Sequence, residues 1–319
     1  MAVSKLTTAP LAVIVGITGK QGGSVARALI ASERPYRLRG LSRDVTKPAA
    51  QDFSKQGVEM VHVTLSVDKA EDAYNAFAGA DIAFTMTNWN EYLDKEKEIA
   101  VGKLLVDAAK AANVKMLIWS SLPSHTEISQ GRFSLAQFTD SKAAVEVYAR
   151  ASGAPLAVAM PGFWSGNIAG AFYALKRQGD GSSYTFEMPF PGTTRVPLSD
   201  TANDFGLYVQ AQIERGELGV GSEVRAGTMI SMDEIVEEFA RVSGKTIVYK
   251  EVELDAWLEA FPSIPIKGIL APALGDMYRT FGAVGFFGGK LPTDPEILAR
   301  KPRTWKEIAE LIPKEALPA

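Results

Sequence analysis

The chain has 319 residues, of which 46% are hydrophobic and 22% are charged, so it is long enough and apolar enough to fold around a substantial core. Its formal net charge of −3 gives no general electrostatic reason to expect direct binding to nucleic acid. It contains no cysteine and two histidines, His62 and His125. This composition excludes disulfides, thiolate chemistry and a histidine metal cluster, and we predict no metal site.

The apolar run near the amino terminus is short. It covers residues 11–15, which is too little for a signal-peptide core or a membrane span. No later segment is long and apolar enough to cross a bilayer. We therefore expect a cytoplasmic protein, with a nuclear location left open and no membrane partner.

The first half alternates strand and helix patterns, which is typical of a parallel sheet with crossover helices. Apolar runs predict strands at residues 11–16, 36–42, 59–65, 80–87, 115–121 and 156–162. A helical apolar period predicts a helix over about 92–112, ended by Asn113. We predict an α/β fold, a Rossmann-type doubly wound parallel sheet with a smaller α/β carboxy-terminal lobe. Residues 1–160 form the dinucleotide-binding domain in this prediction, and 161–319 form the lobe on the substrate or partner side, interleaved with it as one unit.

The second half carries weaker patterns. The density of glycine and proline rises from about Phe163, and residues 189–200 are expected to form ordered loops. The capping box at 231–234 predicts the start of a helix, and a strand is predicted at 246–252. Residues 254–292 support no firm prediction.

The strongest motif is a glycine-rich loop between the first strand and the first helix, Gly16-Ile-Thr-Gly19-Lys-Gln-Gly22. Glycines permit the tight turn and the close approach of backbone amides to a pyrophosphate at the helix N-terminus. The context predicts a dinucleotide site whose contacts include Gly16, Thr18, Gly19, Lys20, Gln21 and Gly22. The alternative is an ordinary glycine-rich turn.

The charged residues after the second strand indicate which dinucleotide binds. An NAD site places a carboxylate about 20 residues after the loop, whereas an NADP site offers cations to the additional phosphate. Here the first charged side chain is Arg43, which can hold a phosphate by two hydrogen bonds, with Lys47 and Lys20 as helpers. We therefore predict NADP(H) as the cofactor. The alternative is that Asp44 binds the ribose and Arg43 is a solvated surface charge.

Further motifs resemble those of the NmrA-like family, an atypical branch of the short-chain dehydrogenase/reductase superfamily. They are Thr87-Asn88 after the fourth strand, the helix with Glu98 and Gly102, residues 114–121, Pro161-Gly162-Phe163 with Asn167, Val196-Pro197-Leu198 with Asp200 and Asp204, and Pro302-Arg303-Thr304-Trp305. Thr87 and Asn88 end a strand at the rim where open parallel sheets bind ligands. With Phe163 they complete the predicted cofactor contacts.

The resemblance also exposes a departure. Ordinary members of the superfamily carry Tyr-x-x-x-Lys, in which lysine lowers the pKa of the phenol that exchanges the substrate proton. The matching stretch here is Phe138-Thr-Asp-Ser-Lys142, and a phenyl ring cannot titrate. Lys142 can still bind the nicotinamide ribose, and it is our candidate catalytic residue. The alternative is that Phe138 is a core aromatic and the alignment is displaced by a turn; Tyr148 lies on a different face of the same helix.

Nearby polar residues have two interpretations each. Ser120 and Ser121 stand where the superfamily's catalytic serine is found, but serines are also common at strand ends. His125 is either a proton relay or, as we expect, a loop histidine with satisfied hydrogen bonds. The strand residues Phe84, Met86 and Met160 are assigned to the core.

Two functions follow from the resemblance. The first is a redox sensor that binds NADP(H) and passes its redox state to a regulatory protein partner, through a change in order near residues 87–95. The second is an NADPH-dependent reductase, similar to quinone or isoflavone reductases, that uses Lys142 on a small aromatic or quinone substrate. Its predicted apolar pocket contains Phe163, Trp164, Phe172, Tyr173, Phe281, Phe286 and Phe287. The combination of an intact nucleotide motif with Phe138 in place of the tyrosine favours the sensor. A third alternative, a scaffold that binds no cofactor, would leave the glycine loop unexplained.

Overall fold

The computed structural model describes residues 3–169, 175–179 and 182–312. The strands are β1 (Leu11–Val15), β2 (Arg37–Ser42), β3 (Glu59–His62), β4 (Ile82–Thr85), β5 (Met116–Ser120), β6 (Leu156–Met160), β7 (Phe163–Trp164), β8 (Leu175–Gln178), β9 (Ser183–Met188), β10 (Arg195–Ser199), β11 (Glu223–Arg225), β12 (Thr228–Ser231) and β13 (Thr246–Glu251). The helices are α1 (Lys20–Ala31), α2 (Pro48–Lys55), α3 (Ala70–Phe77), α4 (Trp89–Tyr92), α5 (Lys95–Ala111), α6 (His125–Ile128), α7 (Gln137–Ala151), α8 (Gly166–Ala169), α9 (Phe205–Glu214), α10 (Met232–Ser243), α11 (Leu254–Ala260), α12 (Lys267–Val284) and α13 (Trp305–Glu310).

The central sheet is parallel throughout and has the order β3-β2-β1-β4-β5-β6-β11. Neighbouring side chains of β1 face opposite layers of helices. Val13 and Val15 pack in the core formed with α3, α5 and α7, and Ile14 packs in the core formed with α1 and α9. Strands buried on both faces read as continuous apolar runs, which explains why these strands were detectable in the sequence. The predicted fold class is confirmed.

The predicted strands of this sheet form within about three residues of their predicted ends. The predicted helix over about 92–112 forms as α5, which begins at Lys95 and follows the separate short helix α4. Leu93 adopts a left-handed conformation with φ of 49°, and the Asp94 side chain accepts a hydrogen bond from the Lys97 amide at 2.9 Å. An aspartate that caps a new helix in this way competes with continuation of the preceding one.

Two small sheets accompany the central one, with the orders β12-β10-β7 and β13-β9-β8. The expectation of loops throughout 189–200 was wrong, because β10 occupies Arg195–Ser199 in the middle of its sheet. Burial of the alternating residues Val196 and Leu198 outweighs the missing N–H of Pro197. The capping box at Ser231 and the strand at 246–251 form as the sequence indicates.

The central sheet contains strands from both sides of the predicted boundary at residue 160, so the two predicted domains share this sheet. Strand β11 pairs with β6, and α9 packs against α1, although both follow that boundary in the sequence. Gly206 of α9 sits so close to α1 that a Cβ would lie 2.1 Å from the Ser24 carbonyl oxygen. Within the described ranges, no helix combines the length and apolarity needed to cross a membrane.

Helices α5 and α7 approach each other closely at Gly102. A Cβ added there would lie 2.4 Å from Cγ2 of Val145, which is far inside van der Waals contact. We therefore expect Gly102→Ala to lower the free energy of unfolding, measured by urea denaturation, by about 1–3 kcal/mol. Val145→Ala should cost less in the Gly102→Ala background than in the wild type, since it removes the clashing methyl groups.

The matched control is Gly268→Ala, an exposed helical position where a Cβ meets no atom within 4 Å. This change should be neutral or stabilising by up to about 1 kcal/mol, because it reduces the freedom of the unfolded chain. Equal losses of stability at the two glycines would contradict the close approach of α5 and α7.

Candidate functional site

The glycine loop leaves backbone amides exposed at the start of α1. Gly16 has φ of 66°, and a Cβ on Gly22 would lie 2.4 Å from the Gly16 carbonyl oxygen, so both positions require glycine. Gly19 caps α1 without a side-chain hydrogen bond. The amides of Lys20 and Gln21 have no acceptor within the described part of the chain. Free amides at a helix N-terminus fit a pyrophosphate.

These amides face a groove of about 340 Å³ at the carboxyl ends of β1, β2 and β4, called here the dinucleotide groove. The predicted cofactor contacts that line it are Gly16, Thr18, Gly19, Lys20, Gln21, Arg43, Thr87 and Asn88. Gly22 lies beneath the loop, where its missing side chain allows the turn. Lys47 is exposed at the start of α2 and does not line the groove, so its contact with the cofactor stays a prediction.

Arg43 and Asp44 are held differently. An Arg43 guanidinium nitrogen lies 3.1 Å from a Glu91 carboxylate oxygen, and the Asn88 amide also donates to Glu91, at 2.9 Å. The Asp44 carboxylate accepts from the Thr46 hydroxyl at 2.6 Å and from the Thr46 amide at 2.9 Å. These hydrogen bonds lower the pKa of Asp44 and occupy it within its own turn. Of the two, Arg43 is the residue that faces the groove.

A second cavity of about 320 Å³, called here the aromatic pocket, adjoins the dinucleotide groove. Gln21, Met86, Thr87, Asn88, Asn90 and Trp164 line both. The aromatic pocket is further lined by Trp89, Ser120, Ser121, Leu122, Phe138, Lys142, Pro161, Gly162, Phe163, Asn167, Leu270, Leu274, Met277 and Phe286. Its size and largely apolar lining are typical of a small-molecule site.

Phe138 belongs to this pocket. It lies edge-on to Trp89 with ring centroids 6.3 Å apart, and it lines the cavity together with Lys142 on the same helix. The alternative of a plain core aromatic is therefore not supported. Phe84 and Met160 are buried as expected, but assignment of Met86 to the core was wrong in part, because Met86 is half-buried between the two cavities.

The other predicted pocket aromatics divide into three groups. Phe163, Trp164 and Phe286 line the pocket. Phe281 and Phe287 are buried and do not line it, although Phe281 packs against Phe286 at 4.7 Å between centroids. Phe172 and Tyr173 lie outside the described residues.

A buried carboxylate holds Lys142 in place. Glu98 on α5 has no exposed surface and accepts from Lys142 Nζ at 2.6 Å, from the Thr87 hydroxyl at 2.7 Å and from the Ser141 hydroxyl. The Lys142 side chain is 13% exposed. Burial lowers the pKa of Lys142, and the Glu98 carboxylate opposes this shift. An ammonium group of lowered pKa gives up a proton more readily than a solvated lysine does.

Sequence reasoning did not assign Glu98 or Ser141 to the site. Glu98 was noted only as a motif of the family. A usable signal was present, since Glu98, Gly102 and Leu105 are spaced at i, i+4 and i+7 along α5, so that a charged side chain lies on its buried face. Ser141 precedes Lys142, and its sequence context carries no comparable signal.

The polar residues at the end of β5 and just beyond it contact other parts of the protein. The Ser120 hydroxyl donates to the Gln21 side chain at 2.9 Å, which ties β5 to the glycine loop. His125 is buried, and its Nδ1 has no partner among the residues described, so the expectation of satisfied hydrogen bonds was wrong for that atom. His125 lines neither cavity. Among the residues that the structure describes, no group of three or more histidine, aspartate or glutamate side chains is placed to hold a metal ion.

The geometry agrees with the similarity of this chain to known proteins. A sequence profile of the NmrA-like family matches residues 9–309. The chain belongs to the NmrA-like family. It is 30% identical over 313 residues to the NmrA-like family domain-containing oxidoreductase ptmS of Penicillium ochrochloron, covering 91% of this chain and 89% of that protein. The family resemblance predicted from the motifs is confirmed.

Two solved structures share the fold. NmrA, a negative transcriptional regulator solved in complex with NADP, is 21% identical, covers 96% of each chain and has a TM-score of 0.79. The Citrobacter sp. triphenylmethane reductase, solved with NADP(H), is 20% identical, covers 97% of this chain and 100% of its own, and has a TM-score of 0.69. At these identities the comparison establishes the fold, which a regulator and a reductase both use.

The buried His125 makes stability depend on pH. Burial lowers its pKa from 6.5 to about 4, so between these values the unfolded state binds the proton and the folded state does not. Stability from this group is complete above about pH 6.5 and declines as the pH falls towards 4. Between pH 7 and pH 5, the free energy of unfolding of the wild type should fall by about 2 kcal/mol more than that of His125→Leu.

Urea denaturation at the two pH values measures this difference. His62 is exposed, so the control His62→Gln should keep the pH dependence of the wild type. Parallel losses of stability in the wild type and His125→Leu would show that His125 is not buried in its neutral form.

Proposed function

We propose that the protein is an NADPH-dependent reductase of a flat, apolar, conjugated carbonyl compound such as a quinone. The observation that carries this proposal is the aromatic pocket, which adjoins the dinucleotide groove and is lined by Lys142. A relative that is 30% identical is named an oxidoreductase, which supports the assignment. This favours the reductase over the sensor, the function that the sequence alone favoured.

The groove fits NADP(H). The amides at the start of α1 would hold the pyrophosphate, and Arg43 would bind the additional phosphate by two hydrogen bonds. Arg43 would exchange its ion pair with Glu91 for one with the doubly charged phosphate. The NADP-bound structures of NmrA and triphenylmethane reductase support the same cofactor here.

The chemistry divides between cofactor and protein. When bound, NADPH supplies a hydride, which is two electrons and one proton, to the substrate carbonyl system. Lys142 donates a proton to the carbonyl oxygen as negative charge develops there, and the quinone leaves as a hydroquinone. Lys142 then regains a proton from solvent. Phe138 supplies no proton, but with Trp89 it covers the substrate and excludes water.

A quinone suits a site without the tyrosine. Charge that arrives with the hydride spreads over a conjugated ring, so the reaction needs less help from a proton donor than reduction of a simple ketone. A single lysine of lowered pKa is sufficient for this reaction. Its protonated form holds the substrate oxygen, and its neutral form follows proton transfer.

The second candidate function is a redox sensor for a protein partner. Phe138 in place of a titratable residue favours it, as does the fold shared with the regulator NmrA. The segment from Asn88 to Asp94 joins both cavities, because Glu91 pairs with Arg43 while Trp89 contacts Phe138. A sensor requires different affinities for NADP+ and NADPH, and calorimetry with the two nucleotides measures that difference.

Arg43→Ala tests the choice of cofactor. The change removes a charge-assisted bidentate contact, so we expect NADPH affinity to fall about 10- to 100-fold while NADH affinity changes less than about threefold. Isothermal titration calorimetry measures both. Lys47→Ala removes a cation outside the groove and should leave both affinities unchanged. Equal losses for the two nucleotides in Arg43→Ala would contradict a phosphate contact.

Lys142→Met tests the proton donor. The variant should oxidise NADPH with menadione at a kcat/KM about 100-fold below the wild type, because the proton donor is gone while the groove is intact. Its NADPH affinity should change only a fewfold. Lys103→Met removes an exposed lysine from the neighbouring helix and should keep wild-type activity. If the wild type reduced no quinone or aldehyde in a broad panel, the reductase proposal would be wrong and the sensor would stand.

A further inference from the structure

The net charge near the aromatic pocket depends on Glu98, a residue that does not line the pocket. Among the described residues that line the pocket, Lys142 is the one charged side chain. Glu98 does not line the pocket, yet its carboxylate lies 2.6 Å from Lys142 Nζ. The charge that a ligand experiences is therefore that of the pair.

Glu98 is surrounded by hydrogen-bond donors. A buried carboxylate is costly unless hydrogen bonds and an opposite charge compensate it. Here two hydroxyl groups and one ammonium group donate to its two oxygen atoms. Thr87 follows β4, and Ser141 and Lys142 lie on α7, so donors from two separate segments converge on one carboxylate of α5.

The same contacts orient Lys142. An ammonium group has three N–H bonds, and one of them is directed at Glu98. Lys142 lines the pocket, so its other N–H bonds are the ones that a ligand oxygen would accept from. A neutral carbonyl oxygen gains a hydrogen bond there. An anion gains the same hydrogen bond, but Glu98 repels it through a medium of low dielectric constant, and it must also give up its hydration.

We propose that Glu98 is a positioning and specificity residue: it orients Lys142 as a proton donor and cancels its charge, so that the pocket accepts neutral conjugated carbonyl compounds and rejects their anionic analogues. This inference rests on the proposed function, because it places the substrate oxygen against Lys142. It adds a substrate property, electrical neutrality, that the shape of the pocket does not determine.

The test compares two ligands of one ring system, menadione and the sulfonate of the same naphthoquinone. Trp89 and Trp164 line the pocket, so quenching of tryptophan fluorescence measures both affinities. The full chain is used without nucleotide, which separates binding from hydride transfer. We expect the wild type to bind menadione at least about tenfold more tightly than the sulfonate.

Glu98→Gln leaves the Lys142 charge uncompensated. The affinity for the sulfonate relative to menadione should rise about tenfold or more, because the Lys142 ammonium group then attracts the anion without an opposing carboxylate. Glu96→Gln is the matched control, since it removes an exposed carboxylate from the same helix, and it should keep the wild-type ratio. An unchanged ratio in Glu98→Gln would overturn the proposal.

The double variant Glu98→Gln/Lys142→Gln covers the case in which Glu98→Gln does not fold, because it buries no uncompensated charge. If the wild-type pair is electrically neutral, the double variant should show the wild-type ratio of affinities. If Lys142 attracts anions in the wild type, the double variant should lose sulfonate affinity, which would refute the role of Glu98. Failure of the wild type to bind either ligand would refute it as well.

NADPH oxidation with menadione is measured in a separate experiment from ligand binding. If the binding ratios behave as expected while NADPH oxidation with menadione is absent, the reductase function fails and the charge balance of the pocket stands. If menadione is reduced while Glu98→Gln keeps the wild-type ratio, the reductase function stands and the role of Glu98 fails.

Discussion

The burial of one carboxylate constrains the face of the fold that carries the two cavities. Glu98 lies in the interior, where an ionised group is tolerated only if donors surround it. The hydroxyl of Thr87 and the donors of Ser141 and Lys142 supply this environment, so the end of β4, helix α5 and helix α7 must meet at one point. Contacts with Glu98 therefore help to position α7, whose side chains Phe138 and Lys142 line the aromatic pocket.

The dinucleotide groove and the aromatic pocket are parts of one surface. Gln21 lines both and accepts from Ser120 of β5, while the Lys20 ammonium group lies 5.3 Å from the centre of the Trp164 ring. A cation over an aromatic face is held weakly compared with a cation beside a phosphate. Occupation of the groove by a pyrophosphate therefore affects a wall residue of the pocket directly.

The sequence was informative where local patterns determine structure. The strands of the central sheet are buried on both faces and read as unbroken apolar runs, and the glycine loop marks its own turn. Strand β10 was missed because Pro197 and its short alternation resemble a loop, and its burial depends on packing with residues of the other small sheet. The start of α5 was predicted three residues too early, because the left-handed conformation of Leu93 has no sequence signature of its own.

Pairing between distant residues was beyond local patterns. Glu98 and Lys142 are 44 positions apart, and Arg43 meets Glu91 only after the sheet has formed. In the sequence, each partner taken alone is indistinguishable from an ordinary charged surface residue. The pair is visible once β4, α5 and α7 are placed, which is why Lys142 was identified through a motif and Glu98 was not identified as its partner.

The position of β11 and α9 in the chain has a consequence for synthesis. A nascent chain that has reached residue 160 carries β1 to β6, but the strand that borders β6 and the helix that covers α1 have not yet been made. The apolar face of α1 stays uncovered until residues 205–225 emerge from the ribosome. The layer of helices on that side of the central sheet is thus completed late in translation.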